Sequence, residues 1–179
     1  MYKIEKLTIT LTEVFNINAA ISMVYDQAPG GKLSYALSKN ISALKIFIKD
    51  AQEELKKVET KHTTYVFDEK RIFDELEAKK KEGKVTQSQI AEIRESHKSP
   101  VVDTVAYEEE KMAYLDGTTE TVELRMIPFS AIEEAEKAVG ALLTSDGKNI
   151  YDEDGTAKTY RLFNVSPRFF TWAEKIITE

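Results

Sequence analysis

The chain has 179 residues, 42% of them hydrophobic and 31% charged with both signs mixed. That is enough apolar material for one core and too balanced for disorder, so we expect one mainly helical α+β domain over 1–179. Cysteine is absent, which excludes disulfides, thiolate metal sites and cysteine nucleophiles, and a net charge of −6 disfavours nonspecific attraction to nucleic acid or anionic membrane. No apolar h-region opens the chain, and no run approaches the roughly 18 apolar residues that span a bilayer. The expectation is a soluble cytoplasmic protein whose partner is another protein or a second copy, with no nucleic acid, membrane or cofactor.

Leu7, Ile9 and Leu11 alternate with Thr8 and Thr10, which predicts a half-buried strand over 2–11. Thr12 then caps a helix carrying Val14, Ile17, Ile21 and Val24, and Pro29-Gly30-Gly31 breaks it. The strongest periodic signal follows. Leu37, Ile41, Leu44, Ile48, Ala51, Leu55 and Val58 recur in steps of four and three, one stripe of a helix over 32–61. At about 1.5 Å per residue that helix is roughly 45 Å long, comparable to the width of a compact domain of this size, roughly 40 Å. Tyr35 and Ile46 lie opposite the stripe and Phe47 widens it, so the first half is expected to be buried. From Lys49 onward the far face is polar, so the second half is expected at the surface, and Leu55, Val58 and His62 form the candidate partner surface.

Tyr65-Val66-Phe67 reads as an apolar connector, and Asp68 as the N-cap of a helix with Ile72, Phe73 and Leu76 that ends at Gly83. Thr86 and Gln89 fit a capping box for a helix with Ile90 and Ile93 that Pro100 stops. This charged helical pair, 68–99, is the expected protrusion. Val101 to Tyr107 fits strand or helix. Asp116-Gly117, between Met112–Leu115 and the alternating Val122, Leu124 and Met126, predicts a hairpin with Met112 opposite Val122. Ser130 and Glu133 match a capping box for a helix with Ile132, Ala135, Val139 and Leu142. A second hairpin joins Asn149–Tyr151 to Thr159–Val165 through a turn at Asp152–Gly155. Ser166-Pro167 then caps a terminal helix with Phe169, Phe170, Trp172, Ala173, Ile176 and Ile177, which must dock on the core.

No residue pattern assigns catalytic, cofactor or metal residues. Aligning Gly155 with the glycine of an EF-hand puts Ile150 and Arg161 where the first and twelfth ligands belong, so a hairpin turn explains Asp152-Glu153-Asp154-Gly155 instead. His62 and His97 lack a metal-ligand spacing; His62, in register with the apolar stripe at a helix end, reads as structural. Lys79-Lys80-Lys81 with Lys84, interleaved with glutamates, reads as a solvated helix face. Neither phosphate-cradling glycine loops nor a nucleophile elbow is present.

The segment Gly31-Lys32-Leu33-Ser34-Tyr35-Ala36-Leu37-Ser38-Lys39-Asn40 after a short strand and an amphipathic helix, with the Val122–Ile127 stretch later, resembles a family of uncharacterised tailed-phage and prophage proteins. The resemblance covers about a third of the chain and implies a viral origin, with localisation in host cytoplasm or virion. It carries no catalytic residues over to this chain. The expected function is a non-enzymatic protein–protein interaction or assembly protein; a phage inhibitor of a host or defence protein, or a small enzyme using carboxylates or His62, are the alternatives.

Overall fold

Thr10, rather than Thr12, caps the first helix. In the computed structural model, which describes residues 2–28, 30–137, 139–141, 148–161 and 163–179, the Thr10 hydroxyl accepts from the Glu13 N–H (3.2 Å) and the Glu13 carboxylate from the Thr10 N–H (2.9 Å). A capping box needs an acidic or amide side chain three residues on; Thr10 finds Glu13 there, whereas Thr12 would find Phe15. Strand β1 (Ile4–Thr10) therefore runs straight into helix α1 (Leu11–Val24), which buries Val14, Ile17, Ile21 and Val24 as its spacing predicts. After a 3-10 turn at Tyr25–Gln27, Gly30 and Gly31 adopt φ of 48° and 72°, a left-handed backbone that glycine takes without a Cβ clash.

Helix α2 (Gly31–Lys61) is the long helix of the stripe, roughly 46 Å at about 1.5 Å per residue. Its buried band is narrower than expected. Leu33, Ala36, Leu37, Leu44 and Ala51 are buried, but Tyr35 and Ile46 are 45% and 60% exposed, so the first half is covered on one side only. Tyr35 instead meets cations: the Arg125 guanidinium and the Lys39 ammonium lie 5.1 and 5.6 Å from its ring centre.

The expected connector is a strand, β2 (Thr63–Phe67), followed by α3 (Glu69–Glu82), α4 (Gln87–Ser96) and β3 (Lys98–Val102). Asp68 and Thr86 cap the two helices as read, Thr86 with the full box to Gln89. Pro100 does not stop α4, which ends at Ser96; it lies inside β3. Helix α5 (Thr104–Gly117), begun by the Asp103 carboxylate accepting from the Ala106 N–H (3.2 Å), absorbs Met112–Leu115 and removes the predicted hairpin. Asp116-Gly117 ends a helix here, a role that glycine fills as readily as a turn.

Strand β4 (Thr119–Arg125) leads to β5 (Ile127–Pro128) and α6 (Phe129–Glu136). Pro128 occupies the α6 cap without a side-chain bond and Ser130 sits inside the helix, so the predicted box does not form. That helix stops before Val139, which belongs to β6 (Val139–Ala141) pairing antiparallel with β7 (Thr159–Arg161). The strand expected to reach Val165 thus ends earlier and pairs with β6, and the turn at Asp152–Gly155 is bridged by Tyr151 and Ala157. Leu142 and Leu162 lie outside the described residues. Ser166 and Pro167 start α7 (Pro167–Ala173), without a side-chain bond from Ser166, and a 3-10 turn and β8 (Ile177–Thr178) follow, so the terminal helix is shorter than its apolar pattern suggests.

The fold is α+β and mainly helical, a single domain in which contacts divide into two compact units, Met1–Gln52 with Tyr114–Glu179, and Glu53–Ala113. In the first unit β4 pairs antiparallel with β1, Leu7 opposite Val122, and β5 runs parallel to β8. Ile9, Val122 and Leu124 of this sheet are buried, as are Ile17 of α1, Leu37 and Leu44 of α2, and Phe163, Phe169 and Ile176 near the end of the chain. In the second unit α3 packs on α4, β2 pairs antiparallel with β3, and the buried apolar residues are Ile72 and Ile93. No helix among the described residues is long and apolar enough to cross a membrane.

Candidate interaction surface

The candidate partner residues fall near the end of α2. Leu55, Val58 and His62 are all half-buried. The His62 N–H closes the helix by donating to the Val58 and Glu59 carbonyls (3.2 and 3.1 Å), and the His62 carbonyl accepts from the Asp103 N–H (2.9 Å). Its ring Nε2 lies 2.7 Å from a Glu110 carboxylate oxygen, and the Lys61 ammonium donates to the same carboxylate. These two partners, Lys61 first and His62 second, hold the Glu110 carboxyl below the usual glutamate range. His97 makes the same kind of pair with Glu75 at 2.8 Å. Each histidine thus ties the end of one helix to a glutamate of another, His62 to Glu110 of α5 and His97 to Glu75 of α3.

The apolar surface of this unit lies elsewhere. Tyr65 and Val66 of β2 are 53% and 56% exposed, and Val101 of β3 is 47% exposed. Paired residues of an antiparallel ladder share a face, so Thr64 with Val101 and Val66 with Ser99 make up one face, all of it exposed. On the other face Phe67 lies under the Arg94 guanidinium at 5.3 Å and Tyr65 under the Lys98 ammonium at 4.2 Å. Phe73 of α3 and Val105 of α5 are also exposed. Sequence reasoning missed this surface because it took Tyr65-Val66-Phe67 for a connector. The signal was present in the run Thr63-Thr64-Tyr65-Val66-Phe67, all β-branched or aromatic residues.

Other clefts offer less chemistry. One of about 380 Å³ is lined by Tyr2, Lys32, Leu33 and Glu134, and burial followed by the charge of Glu134 pushes the Tyr2 hydroxyl up. At the 152–155 turn, the Asp154 carboxylate accepts from the Thr156 N–H (2.9 Å), which lowers its pKa, and Asp152 pairs with Lys158 at 3.1 Å. The turn thus engages both carboxylates. Among the described residues no group of three His, Asp or Glu side chains is arranged to hold a metal.

No family model, curated protein or solved structure matches the chain.

Proposed function

We propose that the chain is a non-enzymatic protein–protein interaction or assembly protein, phage-encoded on the resemblance of 31–40 and 122–127, and active in host cytoplasm or virion. One observation carries the reading: within Glu53–Ala113 only Ile72 and Ile93 are buried, while Tyr65, Val66, Phe73, Val101 and Val105 are exposed. A unit that shows water more large apolar side chains than it buries has the character of a surface awaiting cover. The surface is centred on the exposed face of β2 and β3 rather than on Leu55, Val58 and His62, which are already half-covered.

The test is capture by full-length bait from cells in which the chain is expressed. Val66→Glu with Val101→Glu places charge on the exposed face without touching a buried group, so the melting temperature should hold while capture of the wild-type partner drops at least tenfold. Identical capture by both baits overturns the reading.

A further inference from the structure

Among the described residues strands β2 and β3 pair only with each other, so each has one outer edge. The Asp68 N–H donates to the His97 carbonyl (3.1 Å) and the Asp103 N–H to the His62 carbonyl (2.9 Å). With Val66 opposite Ser99 and Thr64 opposite Val101, this phase turns the backbone groups of Thr64 and Val66 toward β3 and those of Thr63, Tyr65 and Phe67 outward. On β3 the outward positions are Lys98, Pro100 and Val102. Pro100, the middle one, has no N–H to give, so that edge is shut. The edge of β2 holds neither proline nor charge, and within Glu53–Ala113 no side chain or loop backbone bonds the outward groups of Tyr65. By contrast, in the β1–β4 sheet Asn40 covers the outward groups of Arg125, and Lys6 and Glu123, opposite each other within the ladder, put a charge on each strand.

We propose that the outer edge of β2 pairs antiparallel with β2 of a second copy, with Tyr65 on the two-fold axis, closing a β3-β2-β2-β3 sheet. The proposal rests on the reading of this strand pair as an interaction surface and fills its edge, leaving the exposed face as it is. In this register Tyr65 exchanges both backbone bonds with its copy, and Thr63 exchanges its bonds with Phe67 of the copy. Side chains meet as Tyr65 on Tyr65 and Thr64 on Val66, so no like charges are opposed, whereas a charged foreign segment would find no complementary charge on this edge. The Lys98 ammonium of β3 reaches over the Tyr65 ring at 4.2 Å and is paired there with the Glu95 carboxylate at 2.8 Å. Pro100 then lies on both outer edges, so assembly stops at a closed dimer instead of growing into a fibre.

Sedimentation equilibrium of the full chain tests this. The wild type should sediment at twice 20.3 kDa, and Tyr65→Glu, which sets two carboxylates on the axis at an exposed position, should sediment as the monomer. The chain has no cysteine, so Tyr65→Cys should crosslink to its copy on oxidation: hydrogen-bonded partners sit about 5.5 Å apart at Cα, within disulfide reach. Val101→Cys, equally exposed but on β3, should stay monomeric in a non-reducing gel. If Tyr65→Glu fails to fold, the two cysteine variants decide alone. A monomeric wild type in the millimolar range, a dimeric Tyr65→Glu, or crosslinking of Val101→Cys as fast as Tyr65→Cys overturns the proposal. A monomer whose capture is still lost in the Val66→Glu, Val101→Glu bait overturns self-pairing and leaves the interaction function standing; a monomer with unchanged capture removes both.

Discussion

Asn40 puts a polar amide on the buried stripe of α2, three residues after Leu37 and four before Leu44, and is 1% exposed. Its Nδ2 donates to the Arg125 carbonyl (2.9 Å) and its Oδ1 accepts from the Arg125 N–H (2.7 Å), so one side chain stands in for a neighbouring strand at the end of β4. An unsatisfied buried polar group costs about 1 to 3 kcal/mol, and Asn40→Ala would orphan two. Both bonds are only part-buried, so we expect the lower part of the doubled range, a loss of about 2 to 4 kcal/mol in unfolding free energy, read as a drop in denaturation midpoint with an unchanged slope. Glu110 gives a pH-dependent forecast. Its pKa is lowered in the folded chain by Lys61 and His62, so its stabilising contribution is complete above the ordinary glutamate range and fades as pH falls through the lowered value. Melting curves of wild type and Glu110→Gln should therefore differ at neutral pH and converge in acid; a gap that widens in acid would contradict the sign.

At the scale of elements, α2 shows how far a periodic stripe can be trusted. The repeat identified the helix and its ends to within one residue, and Leu44 is fully buried as the stripe requires. The stripe overstated the width of the buried band, because helical spacing says which residues share a face and not how many neighbours arrive to cover it. Leu44→Ala should cost about 2 to 5 kcal/mol through the cavity it leaves. Leu55, half-buried near the other end, should cost clearly less when cut to Ala; equal losses in chemical denaturation would show that both halves are core. The misread hairpin has a different cause. Asp116-Gly117 suits a tight turn and a helix end alike, and only the Asp103 cap upstream distinguishes them, by committing Thr104 onward to α5.

For the molecule as a whole, the terminal segment is structural. Phe169, Ala173 and Ile176 are buried, α7 packs on α1, and Ile177 pairs with Ile127. A fully buried large side chain contributes about 1.5 to 3 kcal/mol and a domain is stable by only about 5 to 15 kcal/mol. Deleting 167–179 should therefore abolish the cooperative melting transition; a soluble truncation with an unchanged melting temperature would refute this. The apolar sequence of that segment foretold its docking, and the caps at Asp68 and Thr86, the α2 stripe and the mainly helical α+β class were equally legible, since each is satisfied by residues within a few positions of one another. Strand partners were not. β4 pairs with β1 across most of the chain, and Tyr65 is a strand residue because Thr64 and Val66 on either side of it pair with Val101 and Ser99. The open edge of β2, the blocked edge of β3 and the strand-like cover that Asn40 gives Arg125 all depend on backbone groups brought together from distant segments, and side-chain patterning carries no record of which backbone group will face which.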